Sequence, residues 1–120
     1  MQSEAASHNA LKGILGKTFG VEVLNINDHD ESGEVFGRPH QIELDVIVKN
    51  GMLLICELKS SIDKAGMYIF ERKARFYEKR RQRTADRLIV TSPMADAKAM
   101  QVAEKLKIEV YSDATDLSGY

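Results

Sequence analysis

Hydrophobic and polar side chains alternate along the middle of the chain with the period of a β-strand. The segment QIELDVIVK (41–49) alternates apolar and polar residues, Asn50 and Gly51 follow, and MLLICELK (52–59) is the next apolar run. Alternation of this kind predicts strands, and an Asn-Gly pair between two such runs is typical of a tight turn. The pattern therefore predicts a β-hairpin over residues 41–59.

Other segments place apolar residues at helical spacing or in short strand-like runs. The predicted helices cover residues 3–17, 64–83 and 95–105, and Ser60, Ser61 or Asp63 can cap the second. The further predicted strands cover residues 21–27, 87–92 and 108–111. We predict that residues 28–40 form a loop and that residues 112–120 form a frayed tail.

This order of elements predicts an α/β (α+β) fold built as αβββαβ plus a further helix and strand. The first three strands can form an antiparallel meander, whereas the strand-helix-strand units between residues 52 and 111 favour parallel crossovers. We therefore expect a central mixed sheet flanked by helices. A chain of 120 residues is long enough for one compact domain, which we place over residues 1–120.

Composition and charge narrow the function classes. Hydrophobic residues make up 43% of the chain and charged residues 29%, and the apolar runs are too short to span a bilayer. The start of the chain does not resemble a secretory signal, so we expect a cytoplasmic protein without membrane contact. The lone cysteine, Cys56, lies in an apolar run and is expected to be a buried thiol. Net charge is −1, yet acids gather in residues 27–34 and seven cations in residues 72–83.

The charges of the ELKSS segment raise a question of strand register. Side chains alternate across a strand, so Glu57 and Lys59 point to the same face. A two-residue turn at Asn50-Gly51 would pair residue 45 with residue 56 and place Asp45 on the opposite face from Glu57. A three-residue turn over 49–51 pairs 45 with 55 and 43 with 57, and a five-residue loop sets 45 opposite 57. We expect the three-residue turn, because the two-residue turn would bury the Asp45 carboxylate among apolar side chains.

In the expected register the carboxylates converge on one face. Asp45 and Glu57 on adjacent strands would repel each other without a nearby cation, and a divalent ion held by their oxygens relieves both charges. This arrangement indicates a Mg²⁺ site.

Asp45, an eleven-residue hairpin segment and then Glu57-Leu58-Lys59 together resemble the active-site signature of the PD-(D/E)XK nuclease superfamily, with LD in place of PD. The resemblance covers about residues 4–112 and includes the segments ELKSSIDKAGMYIFERKARFYE, ADRLIVTSP and VAEKLKIEVY. In these segments the chain resembles an uncharacterised archaeal and bacterial subgroup of nuclease-like domains. The resemblance implies a restriction-endonuclease-like fold of the kind also found in Holliday-junction resolvases.

The resemblance also implies an activity and roles for the motif residues. Asp45 and Glu57 would ligate Mg²⁺, which Mn²⁺ can replace, together with the main-chain carbonyl of Leu58. Lys59 would orient or activate the attacking water. The implied function is a metal-dependent nuclease, expected to be a DNA endonuclease and a homodimer, with no organic cofactor. The alternative is a catalytically weak or inactive nuclease-fold module that binds nucleic acid or a protein partner.

Several residues are weaker candidates for the same site. Family nucleases often add an acid from the first helix, for which Glu4 is the candidate, and Glu43 can bind a second ion or be a solvated strand acid. Cations in residues 72–83 exceed what helical pairing such as Glu71 with Arg75 explains, so phosphate contact competes with a solvated helix. The candidate nucleic-acid contacts are Arg72, Arg75, Lys79, Arg83 and Ser60.

Overall fold

The computed structural model of the protein describes residues 21–113. Its strands are β1 (Val21–Asp30), β2 (His40–Lys49), β3 (Met52–Leu58), β4 (Arg87–Thr91) and β5 (Glu109–Tyr111), and its helices are α1 (Lys64–Arg81) and α2 (Ala97–Leu106). The strands form one sheet in the order β1-β2-β3-β4-β5. Strands β1 to β3 pair antiparallel, and β3 to β5 pair parallel. The predicted mixed α+β sheet is confirmed; the predicted helix 3–17 and residues 114–120 of the tail lie outside the described residues.

Both helices begin at an aspartate that follows the end of a strand. The Asp63 side chain accepts a hydrogen bond from the Gly66 N–H at 2.7 Å, and the Asp96 side chain accepts one from the Ala99 N–H at 2.7 Å. A carboxylate in this position accepts a hydrogen bond from an N–H group that has no partner within the helix, and the positive end of the helix dipole stabilises its negative charge. Of the three predicted capping residues for α1, Asp63 is therefore the one used.

The β1–β2 connection is shorter than predicted, because β1 continues to Asp30 and the loop covers residues 31–39. Asp30 is fully buried, and its carboxylate accepts hydrogen bonds from the N–H groups of Gly33 at 3.1 Å and Val35 at 2.9 Å. Desolvation acts to raise the pKa of Asp30, but hydrogen bonds from the backbone of Val35, Glu34 and Gly33 and from the Ser32 side chain hold it below its ordinary value. A charged Asp30 thus anchors the loop.

Apolar side chains cover both faces of the sheet. Both helices pack on one face, where Val46, Ile55 and Val90 meet Phe70 of α1 and Ala103 of α2. The other face carries a separate apolar cluster made by residues of β1 to β4: Val23, Ile47, Leu54, Cys56, Leu58 and Ile89. The residues of β3 from 53 to 58 are consequently all buried, whichever face they belong to, and only Met52 at the start of the strand is exposed.

The turn between β2 and β3 does not have the predicted length. Asn50 and Gly51 both have positive φ, 52° and 79°, and Lys49 pairs directly with Met52. Two successive residues of this conformation form the two-residue turn that matches the twist of antiparallel strands, and Asn-Gly is its preferred sequence. Asp45 therefore lies opposite Cys56, so the predicted three-residue turn and the predicted pairing of 45 with 55 and 43 with 57 are wrong.

Candidate active site

Glu57 is a buried carboxylate in the middle strand of the sheet. Only 5% of its surface is exposed, and it shares the helical face with Ile55. Its Oε1 accepts a hydrogen bond from Lys73 Nζ of α1 at 2.5 Å. Within residues 21–113 no donor reaches its buried Oε2. Because a buried carboxylate is costly without a positive partner, Glu57 and Lys73 form one unit.

Lys73 lies on the buried side of α1. It is three residues after Phe70 and four before Tyr77, both of which belong to the core, and residues at these spacings share one helix face. Only 8% of Lys73 is exposed. Lys73 was not predicted as a site residue because it stands in a run of cations; its spacing from Phe70 and Tyr77 was the signal that separates it from its solvated neighbours.

Asp45 is fully buried on the opposite face of the sheet from Glu57. It pairs with Asn25 of β1 on one side and Cys56 of β3 on the other, and Asn25 Nδ2 donates a hydrogen bond to Asp45 Oδ1. Burial raises the pKa of the Cys56 thiol, and the negative charge of Asp45 raises it further. The predicted convergence of Asp45 with Glu57 is therefore not present in this structure.

The polar partner of Asp45 explains why the structure tolerates the register that we expected to be too costly. The cost of burying a carboxylate falls when a donor reaches it. Asn25 lies directly opposite Asp45 in the β1–β2 pair, so its side-chain amide donates a hydrogen bond to the Asp45 carboxylate. Asn25 could not be identified as this donor from the sequence without the β1–β2 register.

Lys59 lies just beyond β3, beside a cleft of about 650 Å³ at the carboxyl ends of β3 and β4. Its N–H donates to the Thr91 carbonyl at 2.9 Å, which ties the end of β3 to β4. The cleft is lined by Lys59, Ser61 and Asp63 on one side and by residues 93–96 on the other. Ligands of open α/β sheets commonly bind at this edge, beyond the carboxyl ends of parallel strands. Leu58, whose carbonyl was a predicted metal ligand, is the last residue of β3.

These residues do not fit the predicted divalent-cation site as a set. Glu57 offers a carboxylate oxygen without a hydrogen-bond donor in the described part of the chain, which is the property of an available ligand. Asp45, however, faces the other side of the sheet. Between residues 21 and 113 no group of three or more His, Cys, Asp or Glu side chains is placed to hold a metal ion.

The weaker candidates have mixed outcomes. Glu43 is exposed on the Asp45 face of β2, opposite Asn27 and away from Glu57. Ser60 is exposed in the segment that leads into α1, next to Ser61 of the cleft. Glu4 lies outside the described residues, and its role stays a prediction.

Each cation of the basic segment 72–83 contacts a carboxylate or a backbone carbonyl of the same molecule. Arg75 binds Glu71 at 2.6 Å and Glu78 at 2.7 Å, and the pKa of Arg75 is raised first by its hydrogen bond to Glu78. Contacts of the other cations reach the β1–β2 hairpin and the turn at residue 51: Arg72 to the Val35 carbonyl, Lys79 to Glu34, Arg80 to the His29 carbonyl, Arg81 to Asp28 and Arg83 to the Gly51 carbonyl. Most of these contacts join α1 to other elements and are not pairs within the helix, and phosphate contact by these cations stays an untested prediction.

The sequence of the chain matches a family model over residues 40–109, the part that contains Asp45, Glu57, Lys59 and Lys73. That model describes the PD-(D/E)XK nuclease superfamily, and the chain belongs to this superfamily. A second model, described as protein of unknown function (DUF3782), matches residues 1–39. Among curated proteins none matches the chain.

Three solved structures share the fold of this chain. The chain is similar to EndoMS in its apo form (15% identity, TM-score 0.63), to a repair endonuclease from Pyrococcus abyssi (16%, 0.60) and to EndoMS in a complex named EndoMS-dsDNA2 (13%, 0.61). Each likeness covers 92% of this chain and 46%, 46% and 44% of the respective solved chain. The chain thus spans less than half the length of these proteins. Over the described residues no helix is long and apolar enough to cross a membrane.

Proposed function

We propose that this chain is a nuclease domain that hydrolyses phosphodiester bonds in DNA as an endonuclease, with Glu57 and Lys59 in its reaction centre. The observation that carries the proposal is the buried Glu57 carboxylate, which has one oxygen without a donor among the described residues and precedes by two residues a lysine that lines an open cleft.

The chemistry of phosphodiester hydrolysis suits these two residues. The reaction places extra negative charge on the phosphoryl oxygens, and a fixed ammonium group such as that of Lys59 can offset it. A carboxylate such as Glu57 can accept a proton from water or orient it. DNA as the substrate is supported by the likeness of the chain to EndoMS in the solved EndoMS-dsDNA2 complex.

A divalent-cation requirement is part of the proposal. Members of the PD-(D/E)XK superfamily generally depend on divalent metal ions, and Mg²⁺, replaceable by Mn²⁺, is the ion that we expect. Asp45 lies on the face of the sheet opposite to Glu57. Its side chain would join Glu57 only if the β2–β3 register changed by one residue.

A second candidate function is a nuclease-fold module that binds nucleic acid without cutting it. It is favoured by the separation of Asp45 from Glu57 on opposite faces and by the ion pair that already neutralises Glu57. Binding of DNA without cleavage in both Mg²⁺ and Mn²⁺ would select this function.

Cleavage of linear duplex, single-stranded and branched DNA distinguishes the two. The purified chain is incubated with each substrate in Mg²⁺, in Mn²⁺ and in EDTA, and DNA binding is measured in parallel. We expect divalent-dependent cleavage that falls by about 100-fold or more in Lys59→Ala, the size of a typical loss of a positioned catalytic group. Lys107→Ala, which removes an exposed lysine just after α2, is the matched control. Equal cleavage by the wild type and Lys59→Ala would show a contaminating nuclease and refute the proposal.

A further inference from the structure

A groove of about 340 Å³ lies between α1 and α2, and the charged side chains in its described lining are all lysines. We call it the α1–α2 groove. Lys64 of α1 and Lys98 and Lys105 of α2 are exposed in it, and the other described lining residues are Tyr68, Gln101 and Val102. Among residues 21–113 no carboxylate belongs to this lining. The groove therefore presents three positive charges to solvent.

The lining residues follow the periodicity of the two helices. Lys98, Gln101 and Lys105 are separated by three and four residues, a spacing that places side chains on one face of a helix. A rise of about 1.5 Å per residue puts Lys98 and Lys105 about 10 Å apart along the axis of α2. This distance is close to the axial length of three nucleotides in one strand of duplex DNA, at about 3.4 Å each. The two lysines can thus reach phosphates of the same strand.

The lysines of the groove differ from the cations of residues 72–83 in their lack of acidic partners. In the described part of the chain, none of the three lysines forms an ion pair. Lys79, in contrast, has its Nζ 2.9 Å from Glu34 Oε1, so a phosphate that approaches Lys79 competes with a carboxylate already in place. A phosphate in the α1–α2 groove displaces no such carboxylate.

The groove begins at the end of the helices where the cleft beside Lys59 lies. Because α1 follows β3 and α2 follows β4, and these strands are parallel neighbours, both helices start at the same edge of the sheet. Asp63 and Asp96 line the cleft, and Lys64 and Lys98, which follow them closely in sequence, line the groove. Each aspartate accepts a hydrogen bond from a helix N–H group at 2.7 Å, which stabilises its negative charge within the protein. A DNA strand held beside Lys59 can therefore continue into the groove.

We propose that the α1–α2 groove binds the phosphate backbone of the DNA strand on one side of the reaction centre, through Lys64, Lys98 and Lys105. This inference rests on the proposed function, since it takes the cleft beside Lys59 as the place of cleavage. Phosphate contacts carry no sequence information. The groove therefore contributes affinity and positioning, and it does not select bases.

The salt dependence of DNA binding tests the inference without cleavage. The affinity of the full chain for a labelled duplex oligonucleotide is measured by fluorescence anisotropy in EDTA over a range of salt concentrations. Each lost phosphate contact lowers the slope of log K against log salt concentration by about 0.9. We expect Lys98→Gln/Lys105→Gln to lower this slope by about 2 and to bind the duplex about tenfold more weakly at low salt.

Lys49→Gln/Lys107→Gln is the matched control, because it removes the same charge at residues outside the described lining of the groove and of the cleft. Its slope and affinity should equal those of the wild type, and circular dichroism checks the folding of both variants. An equal loss of affinity in the two variants would show a general effect of net charge and would overturn the inference. Unchanged binding by Lys98→Gln/Lys105→Gln, or no binding of the duplex by the wild type, would overturn it as well.

Failure of the groove and failure of the proposed nuclease activity give different results. Weaker DNA binding by the groove variant, together with no cleavage by the wild type in Mg²⁺ or Mn²⁺, would reject the nuclease activity alone. Cleavage by the wild type, together with unchanged binding by the groove variant, would reject the groove alone. Binding of polyglutamate as tight as that of DNA, and weakened equally in the groove variant, would show a general polyanion surface and overturn its assignment to DNA.

Discussion

Separate and joint removal of the Glu57 and Lys73 charges should have opposite consequences for stability. Across the 2.5 Å between Lys73 Nζ and Glu57 Oε1, Coulomb attraction at an effective dielectric constant of about 20 is roughly 7 kcal/mol. Desolvation of the two ions costs several kcal/mol each and cancels most of it. Removing one partner leaves the other buried and uncompensated, so Lys73→Met or Glu57→Leu alone should lower the free energy of unfolding by about 3–5 kcal/mol.

The double variant Glu57→Leu/Lys73→Met removes both charges and retains most of the side-chain volume. Replacing a buried ion pair by apolar groups is often neutral or stabilising by about 1–4 kcal/mol, so this variant should be at least as stable as the wild type. Urea unfolding followed by circular dichroism measures all four proteins, which form a double-mutant cycle.

The exposed pair of the same helix provides the comparison. Lys79→Met and Glu34→Leu should each change the free energy of unfolding by no more than about 1 kcal/mol, because both side chains are solvated. If Lys73→Met or Glu57→Leu has as small an effect as these, the two charges are not buried together and the reasoning is refuted.

Three further predictions concern the hairpin, its loop and the cysteine. In the observed register Val48 lies opposite Leu53. On mild oxidation Val48→Cys/Leu53→Cys should therefore form a disulfide, detected by mass spectrometry, and Val48→Cys/Met52→Cys should not. A disulfide in the second variant and none in the first would indicate the three-residue turn instead. Because the pKa of Asp30 is lowered from 3.8, the wild type should be more stable than Asp30→Asn at neutral pH. This difference in stability should disappear as the pH falls through the pKa of Asp30 in the folded protein. A difference in the free energy of unfolding that does not change with pH would contradict this prediction. Cys56, 1% exposed and with a raised pKa, should be inert to a thiol reagent until the protein is unfolded in urea, and reaction in the native state would contradict its burial.

The fold was largely predictable because its elements are encoded locally. Alternation in 41–59, the Asn-Gly turn and the aspartates before each helix all lie within a few residues of the structure that they specify. The turn length was mispredicted because the burial of Asp45 was treated as prohibitive, and its donor, Asn25, is supplied from another strand. Tertiary partners of this kind are not visible to a local pattern.

The motif residues of the candidate site were predictable, but the pairing of Lys73 with Glu57 and the arrangement of the side chains were not. Glu57 and Lys59 were named from the motif, and strand periodicity predicts that they share a face. The position of Asp45 depends on a one-residue difference in register, which moves its side chain to the other face of the sheet. The pairing of Lys73 with Glu57 depends on how α1 crosses the sheet. Helical spacing predicts which face of α1 is buried, but it does not predict which strand residue each side chain meets.

The rate of DNA cleavage by Glu57→Gln shows whether Glu57 belongs to a DNA-cleaving centre. This substitution keeps the size of the side chain and one acceptor oxygen for Lys73, and it removes the charge. Initial rates of DNA cleavage in Mg²⁺ are compared among the wild type, Glu57→Gln and Glu34→Gln, with the fraction of folded protein measured in each sample. We expect Glu57→Gln to lose about 100-fold or more of the rate per folded molecule and Glu34→Gln to keep it. Cleavage by folded Glu57→Gln at the wild-type rate would show that Glu57 has no part in catalysis.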